Sequence, residues 1–173
     1  NAISLGLVGS EMCIRDRWRG PMVSGAVMQL MSQTDWQELD YLIIDTPPGT
    51  GDVQLTLLQR LPLNAAIIIT TPQDVSISDT KKGIEMIKRL GIPILGLIEN
   101  MSFFKPEKAK KKYYIFGKEG GKKLSRQYEM ELLCEIPLVE KKEFIILYDI
   151  ETYKKVFDSL TKKVIKNLEI VKK

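Results

Sequence analysis

Tyr41-Leu42-Ile43-Ile44-Asp45-Thr46-Pro47-Pro48-Gly49-Thr50-Gly51-Asp52 is the stretch on which the reading of this chain turns. It runs from an apolar segment through a carboxylate into a turn set by two prolines and two glycines. An apolar run of this length reads as a strand of a parallel sheet covered on both faces, and such sheets bind ligands outside the carboxyl ends of their strands. Asp45 falls at that end. In phosphate-transfer sites an acid so placed holds Mg2+ through water, while backbone N–H groups of the following glycines approach the terminal phosphate. An ordinary strand followed by a turn is the plainer alternative. The density of proline and glycine over the six residues after Asp45 weighs against it.

Working outward, helical and strand patterns alternate. Pro21 suits the first turn of a helix running to about Gln33, with Val23, Val27, Leu30 and Met31 at helical spacing. Tyr41 to Asp45 is the first strand. Val53 to Arg60 then reads as a short helix ended by Pro62, and Ala65 to Thr70 as a strand. Asp74 and Ser76 are candidate caps for a helix through Leu90, which Gly91 and Pro93 stop. A strand Ile94 to Ile98, a helix Lys118 to Glu129 and a strand Leu132 to Ile136 follow. From Glu151 to Lys173, Val156, Phe157, Leu160, Val164, Leu168 and Val171 recur at spacings of three and four, which makes an amphipathic helix. Such a helix either docks on a sheet or grips a membrane, and docking is the expectation. Repeated strand and helix with short links specify an α/β fold, a doubly wound parallel sheet. No domain boundary stands out in the sequence.

Composition narrows the chemistry. At 173 residues, 44% hydrophobic and 28% charged, the chain can bury a core of its own and is not disordered. Its longest apolar run, Ala65 to Ile69, is far too short to span a bilayer, and the expected location is cytoplasmic. There is no histidine, so a general base or metal ligand must come from a carboxylate, lysine or cysteine. The net charge of +4 gathers in Lys105 to Lys112 and Lys118 to Lys123. Tyr113, Tyr114 and Phe116 adjoin these lysines, but a solvated face is the expectation and nucleic acid is not an expected partner. Of the two cysteines, Cys134 sits in an apolar strand as a buried core thiol.

The run Tyr41 to Asp52, together with Trp18 to Gly25 (Trp-Arg-Gly-Pro-Met-Val-Ser-Gly), Thr71 to Val75 (Thr-Pro-Gln-Asp-Val) and Glu99 to Ser102 (Glu-Asn-Met-Ser), resembles the Mrp/ApbC family. These are P-loop ATPases of the MinD-like superfamily that handle iron-sulfur clusters. The resemblance spans about Trp18 to Leu138. It implies ATP and Mg as cofactors, ATP hydrolysis, a role in iron-sulfur cluster assembly or transfer, a homodimer, and apo iron-sulfur proteins as partners. By the same resemblance Asp45 orders the water shell of Mg2+, Pro48 and Gly49 form the switch turn that senses the terminal phosphate, and Asp52 partners that switch. Asn100 matches the position whose amide reads the adenine edge, and Pro137 matches the residue that packs near the base. Asn100 alone, without the family, reads equally as a turn residue ending its strand.

Two of the family's features are missing from this sequence. It contains no Gly-Lys-Ser or Gly-Lys-Thr, so the expected domain lacks its first strand and its phosphate loop, and alone it should bind ATP poorly and be inactive. The Cys-x-x-Cys pair that follows Asn-Met-Ser in many members is replaced by Phe103-Phe104-Lys105-Pro106-Glu107-Lys108, which leaves no iron-sulfur ligands there. Leu7 to Arg17 matches, residue for residue, the translation of a common transposon-derived sequencing adapter. Residues 1–17 are therefore expected to be non-native, and 18–173 a single partial P-loop ATPase domain. A MinD/ParA-like positioning ATPase with a membrane-binding terminal helix, or a binding module without chemistry, are the alternatives.

Overall fold

In the computed structural model the described residues are 20–46, 51–104, 106, 111–138 and 151–171. They form five helices and three strands in chain order: α1 (Gly20–Gln33), α2 (Asp52–Arg60), β1 (Ala66–Thr70), α3 (Asp74–Arg89), β2 (Ile94–Glu99), α4 (Gly120–Tyr128), β3 (Leu132–Glu135) and α5 (Glu151–Val171). The chain divides into two compact units, Asn1–Leu61 and Pro62–Lys173. Pro62, which cannot continue α2, stands at the division.

The second unit is built around β2, whose run Ile-Leu-Gly-Leu-Ile-Glu is buried from Leu95 to Glu99. Burial of alternate residues in both directions means that the strand is covered on both faces, as parallel sheets are. The sheet order is β1-β2-β3, with both pairings parallel. Successive side chains of β2 point to opposite faces. On one face, Leu97 lies under α4, so closely that a Cβ at Gly121 would come within 3.0 Å of its Cδ2 and of the Glu99 Cβ. On the other, Ile98 joins Leu133 of β3 and Leu160 of α5 in one apolar cluster, with Phe157 and Val164 against it. Gly96 runs at φ +152, and a Cβ there would meet Leu133 at 2.7 Å, so only glycine lets β2 and β3 approach so closely.

The terminal helix is thus a docked one. Phe157, Leu160 and Val164 of its apolar stripe pack on the sheet, and polar contacts pin it: Lys163 donates to the Leu133 carbonyl at 2.8 Å, and Asn167 to the Leu95 carbonyl at 2.9 Å. Among the described residues no helix is long and apolar enough to cross a membrane.

In the first unit α1 and α2 pack on each other, and Leu57, Leu58 and Leu61 are buried. Tyr41 to Asp45 corrects the sequence reading. No strand forms there, and Tyr41, Leu42 and Ile43 are exposed by 54%, 44% and 91%. A strand exists only where a neighbour takes up its N–H and C=O groups, and no ladder partner among the described residues does so. The caps proposed for α3 are corrected too. Gln73 occupies the N-cap, Asp74 is inside the first turn, and Ser76 bonds back to Thr70 and Thr71.

Candidate functional site

The three strands of the second unit end level with one another. Thr70, Glu99 and Glu135 are in register across the sheet, and the chain leaves each strand at the same rim. Backbone bonds continue past that row: Asn100 N–H donates to the Thr70 carbonyl at 2.8 Å, Ile136 N–H to the Glu99 carbonyl at 2.8 Å, and Ser102 N–H to the Ile136 carbonyl at 3.0 Å. Asn100 and Pro137 therefore stand at one rim. Continuing the ladder beyond the strands leaves both positions little freedom.

Asn100 is half-buried. Its Oδ1 accepts the Met101 N–H at 2.9 Å, which fixes the amide plane, and its NH2 group makes no hydrogen bond among the described residues. A carbonyl oxygen has two lone pairs, so the amide retains both a donor and an acceptor. Pro137 is buried, and its carbonyl accepts the hydroxyl of Tyr153, 7% exposed, at 2.9 Å. That bond ties the rim to the start of α5.

Glu99 is the residue that sequence reasoning passed over. Only 1% exposed, it turns its carboxylate under α4, where Oε2 accepts the Gly121 N–H in a short hydrogen bond. A buried carboxylate is costly unless it is met by donors, and the first turn of a helix offers free N–H groups and a positive dipole end. Ser102, equally buried, donates its hydroxyl to the Glu99 carbonyl at 2.8 Å. The signal in the sequence was an acid closing an otherwise apolar strand. Beside it, Lys122 pairs with Glu135 at 3.2 Å, and that hydrogen bond raises the lysine above its ordinary pKa. At the end of β1, Thr70, Ser76 and Thr80 share hydroxyl contacts of 2.9 and 3.1 Å that hold the turn into α3.

The remaining site residues belong to the first unit. Asp45 is exposed and makes no hydrogen bond or ion pair among the described residues. Asp52 is the first residue of α2. Pro48 and Gly49 lie outside the described residues. Gln54, on α2, reaches back to the Thr46 hydroxyl at 3.5 Å, and its Oε1 is buried without a partner. An orphaned acceptor on a side chain that reaches the residue after Asp45 suits a hydrated cation, whose waters donate and whose charge an acid offsets. The donor set fits Mg2+ better than a metal held wholly by protein, because no cluster of three or more acidic or cysteine ligands occurs among the described residues. An iron-sulfur cluster is not accommodated in that way. Cys134 is the one thiol among the described residues, and burial pushes its pKa up, away from the thiolate that ligation needs.

A parallel sheet covered by helices on both faces, with polar groups converging where its strands end, defines an α/β protein of the class that binds its ligands at that rim. The chain belongs to the ParA family: residues 1–169 match its description as a NUBPL iron-transfer P-loop NTPase. Among its relatives are iron-sulfur cluster carrier proteins of Pseudomonas fragi, 51% identical over 121 residues, and of Methanocaldococcus jannaschii, 55% identical over 122 residues. Each match covers 70% of this chain and 42% of the relative. The iron-sulfur cluster transfer protein NUBPL of Mus musculus is 47% identical over 121 residues, 70% of this chain and 38% of its own length. The chain thus spans less than half of these relatives. A nucleotide-binding protein in complex with ADP from Archaeoglobus fulgidus superimposes with a TM-score of 0.62 at 32% identity, over 82% of this chain and 54% of that one.

Proposed function

We propose that the complete protein is an ATPase that assembles or transfers iron-sulfur clusters, working as a cytoplasmic homodimer that delivers to apo iron-sulfur proteins. Residues 18–173 are part of its P-loop domain, and residues 1–17 are adapter-derived. The observation that carries this reading is the sheet rim, where Asn100 keeps a donor and an acceptor free beside the buried Pro137. The ADP held by the Archaeoglobus fulgidus protein and the cluster-carrier relatives support it.

In this reading Asn100 pairs with the adenine edge and Pro137 packs near the base. Asp45 holds the water shell of Mg2+, while Pro48 and Gly49 form the switch turn, in which Gly49 presents its backbone N–H to the terminal phosphate, and Asp52 steadies that turn. Mg2+ would offset charge on the transferring phosphoryl group. Gln54 positions Thr46, the residue that follows the acid. The cluster is cargo, and no transfer step is assigned to a side chain of this chain.

The test is Asp45→Asn in the complete protein. Mg-dependent ATP turnover should fall by about a hundredfold with the melting temperature unchanged, since a single preorganised charge is worth that much in such sites. Turnover equal to that of the unmodified protein would refute the role given to Asp45.

A further inference from the structure

Glu99 carries a cost that packing alone does not explain. It closes β2 at 1% exposure, and among the described residues its carboxylate meets one donor, the Gly121 N–H. An apolar side chain of similar size would fill the same space beside Leu97 at lower cost, because a buried carboxylate is repaid only by the donors that satisfy it. What the acid supplies is a cap. Glu119, at the N-cap of α4, stands at φ +63 and makes no side-chain bond to the helix. Gly121 is the second residue of α4, and its N–H is one that an N-cap side chain ordinarily receives. Glu99 takes that place from the sheet, twenty-two residues away in sequence.

The first turn of α4 is shaped for this approach. A Cβ at Gly121 would come within 3.0 Å of the Glu99 Oε2, and a Cβ at Gly120 within 3.0 Å of the Pro72 Cα and carbonyl oxygen. Lys122 gives its ammonium to Glu135 at 3.2 Å. Three consecutive residues of the helix thus meet the ends of β1, β2 and β3 in turn. The peptide between Glu99 and Asn100 is held on both sides by the ladder, its carbonyl accepting from Ile136 and its N–H donating to Thr70. Those bonds lie in the sheet and restrain the peptide least along the sheet normal. The Glu99 side chain supplies the restraint in that direction.

We propose that the bond from Gly121 to Glu99 positions Asn100: it fixes the end of β2 against α4 and so sets the adjacent amide at the height from which it reads the base. This role rests on the nucleotide reading of the rim and adds to it the residue that holds the amide in place. Glu99 is buried under the helix, so it acts through its neighbour and contacts no ligand.

The test is turnover of ATP and of GTP by the complete protein, where the ratio of the two kcat/KM values measures how the base is read. Glu99→Met keeps the volume and removes the acceptor; it should lower the preference for ATP about tenfold, through KM for ATP, with kcat within about twofold of the parent. Glu99→Gln keeps an acceptor oxygen for the Gly121 N–H and should rescue the preference to within about twofold. Gly121→Ala strikes the same bond from the other side while favouring the helix, and should lower the preference in the same direction. Leu97→Ala loosens the contact between β2 and α4 without touching the bond, so it should reduce stability and leave the preference intact. Preference kept in both Glu99→Met and Gly121→Ala would overturn the proposal. So would equal losses in Glu99→Met and Leu97→Ala, which would make the effect general loosening, or in Glu99→Met and Glu99→Gln, which would assign it to charge. Asn100→Ala separates the two levels: if it loses the preference while Glu99→Met keeps it, the role of Glu99 alone falls, and if Asn100→Ala keeps it, the reading of the rim falls as well.

Discussion

Ile43 and Leu97 belong to apolar runs that read alike in sequence, yet they end at opposite extremes of exposure, 91% and 0%. Leu97 lies in a strand with a hydrogen-bonded neighbour on each side and a helix above it. Ile43 lies in a run of the first unit that has no ladder partner among the described residues. The difference teaches that hydrophobicity proposes a strand, and only pairing of the backbone makes one. Inside the second unit every strand found its neighbour through a helical crossover encoded in the adjacent sequence. Tyr41 to Asp45 is likewise followed by a helix, α2, and then by β1, so the local pattern alone did not distinguish it.

The comparison predicts a graded series of effects. The largest is Leu97→Ala, which empties a fully enclosed site between β2 and α4 and should cost about 2 to 5 kcal/mol in urea unfolding. A small loss would mean that the two-sided cover of β2 is looser than its burial implies. Next is Tyr153→Phe, which strands the buried Pro137 carbonyl and should cost about 1 to 3 kcal/mol. An unchanged midpoint would show that α5 does not depend on that bond. The amphipathic pattern of α5 was legible in the sequence, whereas this contact, sixteen residues away along the chain, was not.

A smaller, pH-dependent effect is expected at Glu131. The Asn167 amide at 2.9 Å holds its carboxyl below the ordinary carboxylate range, with the Lys163 ammonium at 3.3 Å adding to the shift and burial opposing it. A lowered folded pKa contributes stability that is fully present above the ordinary value, about 4.3, and is lost as pH falls through the folded one. Glu131→Gln should therefore be less stable than the parent by up to about 1 kcal/mol near neutrality, discounted because the side chain is about half exposed. The gap should close in acid. A gap that persists at low pH would assign the effect to packing instead. Smallest is Ile43→Ala, expected within about 0.5 kcal/mol because the side chain has so little cover to lose. A cost as large as that of Leu97→Ala would show that the run is buried in solution and would erase the contrast.

Much of the rim was legible before any coordinates. Asn100 and Pro137 were placed at strand ends, and both stand there, held by bonds that prolong the ladder. Glu99 and Tyr153 were not foreseen, because each acts through a contact with a helix distant in sequence. The α3 caps were misplaced by a different cause. Asp74 and Ser76 have side chains suited to capping, but Ser76 is engaged by Thr70 and the N-cap falls to Gln73, which makes no side-chain bond. Side-chain chemistry limits the choice of cap, and the course of the preceding turn decides it.

The account depends most on the strand-end rim of the second unit being where the nucleotide base is held. Photolabelling the complete protein with 8-azido-ATP, followed by peptide mapping, tests this directly. Label should appear within residues 99–104 or 135–138 and be blocked by ATP; ATP-protected label found only elsewhere in the chain would contradict the account.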